Sequence, residues 1–335
     1  MKSISIVLLN FNGLDLLKKF LPKLIEFSLE ANIVVIDNCS SDNSLSWLNE
    51  CHSDVQCIKL DKNHGYAGGY NEGLKQVKAK YYCLINNDVL VTENWLSPLI
   101  NHFETNPNTA ILQPHILDYN KPSHFEYAGA AGGFIDSNGI PFCRGRILNN
   151  CEEDFGQYDK TNKIFWASGA CFFIRSKVFW KIGGFDVDFF AHQEEIDLCW
   201  RVFNQNYDIT SLGVSKVFHV GGATLPVSSR KIYLNHRNSL FMLVKNLPAK
   251  DLHKIIFKRL CIDFFIGGVY FVQLKFSSTL AIFNAHIAFY KNYKLMKSKR
   301  SLGNFKTDFF YTKSIILNFF LLRILNFSDL NENNK

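Results

Sequence analysis

The sequence predicts an α/β protein: a mostly parallel, Rossmann-like sheet flanked by helices, followed by a C-terminal helical extension. Three observations predict it. Continuous apolar, β-branched runs alternate with helix-spaced stretches through residues 1–90, the pattern of strands buried on both faces and joined by right-handed crossovers. The fourth run, Tyr81–Ile85, stops on Asn86-Asn87-Asp88 before apolar residues resume. That puts a carboxylate flanked by amides at a strand's carboxyl end, where open α/β sheets bind ligands. Beyond about Lys231 the strand signals stop and helix-spaced apolar stretches take over.

Each element has its own signal. Ser3–Leu9 is continuous and β-branched, a first strand. Leu14–Leu29 carries Leu16, Leu17, Phe20, Leu21, Leu24 and Phe27 at helical spacing. Asn32–Ile36 is a second strand, and Asp42 caps a helix running to about Cys51. Val55–Leu60 is a third strand, Ala67–Ala79 a helix with Gly68 and Gly69 near its start, and Tyr81–Ile85 the fourth strand. Residues 91–106 read as helix, and 107–165 as scattered Gly, Asn and Pro with short strand candidates. Ala170–Ile174 is a strand, Lys177–Ile182 and Glu194–Gln205 are helices, and Val214–Val220 is a last strand. From Lys231 helices are expected to the end. The expected organisation is one domain over 1–245, with a half that looks nucleotide-binding (1–90) and a second half (91–245), then a basic, apolar helical region over 246–335.

Composition narrows the partners. With 47% hydrophobic and 20% charged residues the chain is globular. Residues 1–244 carry 22 basic and 25 acidic side chains; residues 245–335 carry 15 and 5, so the net charge of +7 belongs to the tail. A basic tail rich in Phe, Leu and Ile suits an anionic membrane surface. The alternative is an ordinary helical subdomain packed on the core or forming a homo-oligomer interface. Nucleic acid ranks lower, since no nucleic-acid motif accompanies the charge. The nine cysteines include no Cys-x-x-Cys pair, which argues against a zinc module or disulfide framework. Reduced, mostly buried thiols fit better. The N-terminus enters a strand pattern at once and makes a poor signal peptide. Phe264–Leu274 and Phe276–Tyr290 are too short to span a bilayer, and Lys275 divides them. The expected location is cytoplasmic, peripheral on the cytoplasmic face of the membrane.

Four motifs carry candidate chemistry. Asp88 offers a hard oxygen ligand for Mg²⁺ or Mn²⁺ holding a diphosphate; the bland alternative is a strand followed by a polar turn. Asp37, at the end of the second strand, can accept the imide hydrogen of uracil or thymine, while Ser40, Ser41 and Asp42 suit helix capping. Glycines in the run Asn63 to Gly73 let backbone approach a ligand, and the helix start can meet phosphate; both are equally at home in a structural junction. Glu194, Glu195 and Asp197 crowd the start of a helix. One of them can act as a general base with a raised pKa, or all can simply favour the helix dipole. His219 closes the last strand, either as a metal ligand or as a structural imidazole.

Taken in order, these pieces resemble the family 2 inverting glycosyltransferases, especially the bacterial rhamnosyltransferase-like branch. The resemblance covers about residues 3–245. It rests on Ser5–Gly13, Val34–Asn38, Asn63-x-Gly65-x-Ala67-x-x-x-Asn71-x-Gly73, Leu84–Asp88, Gly169–Arg175, Gly183–Asp186 with Glu194–Arg201, and His219. It implies a GT-A fold, a nucleotide-sugar donor and a saccharide acceptor, plausibly lipid-linked. It also implies nucleotide-sugar contacts from Asn10, Asn12, Asp37, Asn63, Gly65, Asn71, Asn86, Asn87 and Asp88. Acceptor contacts would come from Trp166, Gly169 and Asp197, and metal ligation from Asp88 and His219. Glu195 falls at the catalytic base, with Glu194 as the alternative. Two departures stand out. Asn86 replaces the usual first acid of the metal motif, and the acidic pair ends in Glu rather than Asp. A sugar nucleotidyltransferase is disfavoured because Asn10-Phe11-Asn12-Gly13 stands where a Gly-rich loop with Arg and Lys is expected. A non-catalytic, membrane-associated carbohydrate-binding protein with an eroded site is the other alternative.

Overall fold

The computed structural model describes residues 2–221, 228–300, 305 and 309–332. The first half alternates as expected: β1 (Ile4–Asn10), α1 (Leu14–Glu26), β2 (Ala31–Asp37), α2 (Ser44–Cys51), β3 (Gln56–Lys59), α3 (Gly65–Leu74) and β4 (Tyr81–Ile85). These strands pair in parallel in the order β3-β2-β1-β4. Both faces of the sheet are apolar. Val7, Val34, Ile36 and Leu84 point into one core cluster, while Ile6, Leu8, Val35 and Cys83 point into the other. That two-sided burial is why these strands lack polar alternation. Helices α1 and α2 cover one face and α3 the other. Gly69 and Gly73 let α3 lie close to the sheet: a Cβ on Gly73 would sit 2.2 Å from Ile36.

The second half continues with β5 (Val89–Val91), α4 (Ser97–Thr105), β6 (Thr109–Asp118), β7 (Gly133–Asp136), β8 (Pro141–Cys143), β9 (Arg146–Ile147), β10 (Asn150–Cys151) and β11 (Asn162–Lys163). Then come β12 (Cys171–Arg175), α5 (Ser176–Lys181), a 3-10 turn (Val187–Phe189), α6 (Glu194–Asn204) and β13 (Asp208–His219). The main sheet runs β11-β13-β6-β12-β4-β1-β2-β3, with β5 pairing to β13. Strand β12 is antiparallel to both β4 and β6. Strands β7 to β10 form a second sheet.

Three segments depart from expectation. Residues 91–106 do not form one helix; β5 ends at Val91 and α4 starts only at Ser97. The ten-residue β6 was hidden by Pro114, which cannot donate to a ladder. The partner strand accommodates it: the β6–β13 register shifts between Leu212 and Lys216, opposite Pro114 and His115. The tail is not helical throughout. After α7 (Ser229–Asn246), α8 (Ala249–Val272) and α9 (Phe276–Ser298), β14 (Phe310–Thr312) pairs in parallel with β7, before α10 (Ile315–Phe320) and α11 (Phe327–Glu332). Residues 301–304, 306–308 and 333–335, also expected to be helical, lie outside the described residues.

All nine cysteines are free, but only Cys83, Cys143, Cys171 and Cys199 are buried. Cys51 and Cys261 are exposed, so the expectation of mostly buried thiols holds for under half of them.

Candidate active site

The carboxyl ends of β1, β2 and β4 meet in a buried polar lattice. Asn10, at the end of β1, donates through Nδ2 to Asp37 Oδ1 at 3.2 Å and to Ser40 Oγ at 3.2 Å. Its own Oδ1 accepts from Asn87 Nδ2 at 3.1 Å. Asp37 also receives the Ser40 amide at 3.0 Å. Asn10 and Asp37 are both fully buried. Adjacent parallel strands place them side by side, Asn10 opposite Asp37 in register. Exposed Asn12, with φ 53°, turns its Oδ1 to the Ser41 amide at 2.7 Å and braces the β2–α2 loop. Asn63 Oδ1 accepts from the Gly65 amide at 2.8 Å and from Asn38 Nδ2 at 3.0 Å.

The start of α3 is already engaged. The Tyr66 amide donates to the Phe190 carbonyl at 2.8 Å and the Ala67 amide to the same oxygen at 3.3 Å. The expectation that this helix start meets phosphate therefore gives way to a loop-capping role. Gly65 is required there: its φ is +70°, and a Cβ would lie 2.6 Å from the Phe190 ring. Asn71 points away from the strand ends. It clamps Phe185, donating to its carbonyl at 2.8 Å and accepting from its amide at 3.0 Å.

Beyond β4, Asp88 and His219 face each other. His219 Nε2 lies 3.1 Å from Asp88 Oδ1, and Asn86 Nδ2 lies 3.5 Å from the same ring nitrogen. On the far side of the ring, His219 Nδ1 is 3.4 Å from Glu126 Oε2. Burial opposes charge on this imidazole, but the two carboxylates outweigh it and push it up to about 10. Antiparallel pairing of β13 with β5 puts His219 opposite Val89, next to the Asp88 position. Among the described residues no ready-made cluster of three or more metal-ligating side chains exists. The pieces nonetheless fit a divalent cation bound together with a diphosphate. Asp88 Oδ1 is buried without a well-aligned donor. A carboxylate and an imidazole suit Mn²⁺, and a second carboxylate behind the imidazole orients it as in many metal sites. A proton and a cation exclude each other at Nε2.

The acidic pair stands across the β4–β12 junction. The Asn86 amide donates to the Ala170 carbonyl at 2.9 Å. The adjoining Gly169 lies against both Tyr66 and Glu195: a Cβ on it would sit 3.2 Å from Tyr66 Oη and 3.8 Å from Glu195 Cδ. Tyr66 Oη donates to the Gly169 carbonyl at 2.8 Å. Asn86, two residues before Asp88, is thus tied to Ala170, and the next residue, Gly169, lies beside Glu195. Burial raises the carboxyls of both Glu194 and Glu195, Glu194 well above the ordinary range and Glu195 to about 7. Each keeps a buried oxygen without a hydrogen-bond partner.

Two residues expected at the acceptor sit elsewhere. Asp197 is fully buried and bound to Arg201, Lys245 and Asn246 at 2.8–2.9 Å, which holds its carboxyl below the usual range despite burial. Trp166 is buried, with Nε1 donating to the Phe134 carbonyl at 2.9 Å, and its ring fills the space over Gly133, where a Cβ would come within 2.0 Å.

Other residues hold the loop before Glu194. Phe190, His192 and Gln193 all have positive φ, at 64°, 71° and 70°. Such backbone costs about 1–3 kcal/mol per residue and persists only where neighbours over-determine it. Asn238, fully buried on α7, directs Nδ2 at the carbonyls of Phe189, Ala191 and His192 at 2.7–2.9 Å. Arg237 Nη2 donates to the carbonyls of Asp188 and Phe189. Lys245 bridges Asp186 and Asp197, and Lys299 bridges Asp186 and Asp188. The signal in the sequence is a polar Asn and a Lys on the apolar stripe Leu234, Asn238, Phe241, Met242, Lys245.

A doubly covered sheet with its polar residues gathered at the carboxyl ends of the central strands is the arrangement of a ligand-binding open α/β protein, and its solved structural neighbours are of the GT-A fold. The chain belongs to glycosyl transferase family 2, whose model matches residues 5–183. The low-salt glycan biosynthesis hexosyltransferase Agl10 of Haloferax volcanii is 27% identical over 298 residues, covering 84% of this chain and 89% of its own. Among solved structures, GalNAc-T7 with UDP, GalNAc and Mn²⁺ superposes with a TM-score of 0.59 at 15% identity, over 74% of this chain and 49% of that one. S. aureus TarS 1–349 with UDP-GlcNAc gives a TM-score of 0.57 at 14% identity, over 90% and 84%.

Proposed function

We propose that the protein transfers a hexosyl or deoxyhexosyl group from a UDP- or dTDP-linked donor to a hydroxyl of a saccharide, with inversion at the anomeric carbon. The acceptor is lipid-linked, the pathway builds a cell-surface polysaccharide, and the C-terminal region makes peripheral contact with the cytoplasmic face of the membrane. No described helix is long and apolar enough to cross a membrane. The observation that carries the reading is Glu195: a carboxyl pushed to about 7, one oxygen without a partner, and a place beside Gly169, whose neighbour Ala170 accepts the Asn86 amide.

The chemistry follows from that placement. Glu195 removes the acceptor hydroxyl proton, and the oxygen forms a bond to the anomeric carbon on the face opposite the diphosphate. The bond from that carbon to the diphosphate oxygen breaks, and its electron pair leaves with the nucleoside diphosphate. Glu194, the alternative base, has its carboxyl raised by burial and by the Glu195 charge beside it. Asn10, Asp37, Asn63 and Asn87 position the nucleotide at the strand ends. Asp88 and His219, with Asn86 beside them, would hold a divalent cation, which supplies charge neutralisation for the departing diphosphate. Gly169 and Tyr66 border the acceptor side.

The test is transfer and donor hydrolysis across UDP- and dTDP-sugars with Mn²⁺, for wild type and Glu195→Gln. Wild type turns over at least one donor, and the variant falls about 10²–10⁴-fold while still binding nucleotide. An inactive wild type that binds sugar, or a variant with unchanged rates, overturns the reading.

A further inference from the structure

We infer that the α8–α9 hairpin is a seat for an anionic lipid bilayer, lying in the plane of the interface with its outward aromatic stripes embedded. This deepens the peripheral contact proposed above and rests on that reading of the C-terminal region.

The hairpin is apolar on its outward side as well as its inward side, which a pair of helices in water is not. On α9, Phe276, Leu280, Phe283, Ile287 and Tyr290 recur at helical spacing and all are exposed. On α8, Phe257, Phe264, Phe265 and Val272 do the same, with Phe264 76%, Phe265 72% and Val272 81% exposed. The inward faces are apolar as well, with Leu252, Ile255 and Ile256 of α8 and Ile282, Ala285 and Phe289 of α9 buried, and they enclose one charged cluster. Asp263 is fully buried, with His236 Nδ1 of α7 at 3.0 Å, His286 Nε2 of α9 at 3.1 Å and Arg259 Nη2 at 3.6 Å. A helix packed on a core in water keeps its second face polar. A contiguous exposed apolar face of this extent marks an interaction surface.

Charge selects the occupant. Residues 264–307 contain no Asp or Glu and seven Lys or Arg. Lys291, Lys294 and Lys297 are exposed at the end of the α9 stripe. A groove of about 680 Å³ between the helices is lined by Phe257, Leu260, Phe289 and Tyr290 together with Lys291 and Lys294. Apolar walls beside ammonium groups match acyl chains beside anionic headgroups. A second copy of the same face would bring like charges together. The helices lie in the interface rather than cross it: α8 ends at Val272, and Gln273, Leu274 and Lys275 divide the hairpin.

Vesicle flotation of the full chain tests this, using phosphatidylcholine vesicles with and without 30% phosphatidylglycerol. Three proteins are compared: wild type, Phe264→Ser/Phe265→Ser/Phe283→Ser, and Lys291→Gln/Lys294→Gln. The expected result is wild-type binding at least about tenfold stronger with phosphatidylglycerol and weakened by salt. The lysine variant should lose about fivefold in affinity per lysine. The phenylalanine variant should lose flotation while keeping its thermal transition and its transfer to a water-soluble acceptor, which separates loss of the seat from failure of the transferase reading. Equal binding to both vesicle types, or no flotation of wild type, overturns the proposal. So does a wild-type dimer that the phenylalanine substitutions dissociate, which would make the face a protein interface.

Discussion

As the proposed base, Glu195 combines a functional demand with a stability cost, and the two separate with pH. Burial holds its carboxyl at about 7 rather than the ordinary 4.5, so the folded chain binds that proton more tightly than the unfolded chain. The stability this proton confers is full below pH 4.5 and is lost as pH rises through 7. The base is needed ionised, so transfer should rise about tenfold per pH unit below 7 and level off above it. Glu195→Gln should therefore melt higher than wild type at pH 8, while the two converge towards pH 5. A variant that melts lower at pH 8, or a flat pH–rate profile between 5 and 7, would contradict this assignment. In the sequence the three acids at the helix start read equally as partners of the dipole or as a base, and only the resemblance singled out Glu195. The buried pairing of Asp197 was not legible, because its partners Lys245 and Asn246 come from a helix nearly fifty residues away.

The parallel strands β1, β2 and β4 were readable because strands buried on both faces leave unbroken apolar runs. Strand β6 was not, since its Pro114 is tolerated only through an irregularity in the distant β13. The loop from Phe185 to Gln193 shows the same limit. Its three positive-φ residues have no local cause; α7 imposes them from outside through Asn238. Removing that amide leaves the Ala191 and His192 carbonyls short of a donor, each costing about 1–3 kcal/mol, and frees the loop to relax. Asn238→Ala should lower kcat by roughly tenfold or more with a smaller change in KM, because displacing the base penalises the transition state more than binding. Asn238→Asp removes the donors without changing side-chain size and should fail alike. Unchanged kcat in both variants would show that the loop holds its shape unaided.

The tail reaches back to complete the rest of the chain. Strand β14 pairs with β7, Ser137 Oγ donates to the Lys313 carbonyl at 2.6 Å, and Asp136 Oδ2 accepts the Ile315 amide at 2.9 Å. Phe327 is buried among Phe134, Phe142, Tyr158 and Tyr311, with ring centroids 4.9–6.2 Å apart, and its amide donates to Glu152 Oε1 at 2.8 Å. That aromatic cluster roofs the small sheet β7–β10, whose Gly133 carries Trp166 on its other contacts. The sheet is too small to hold itself together, so its order depends on joining mid-chain β7 to segments about 175 to nearly 200 residues further on, and no local pattern announces such a contact. Phe327→Ala should cost about 3–5 kcal/mol, the range for truncating a buried aromatic. Because the same cluster backs Gly133 and Trp166, the loss should be felt near Gly169, raising KM for the acceptor while donor binding, which rests on β1, β2 and β4, stays near wild type. Urea unfolding gives the first quantity, and separate titration of donor and acceptor gives the second. A destabilised variant with both KM values unchanged would confine the tail to a purely structural part.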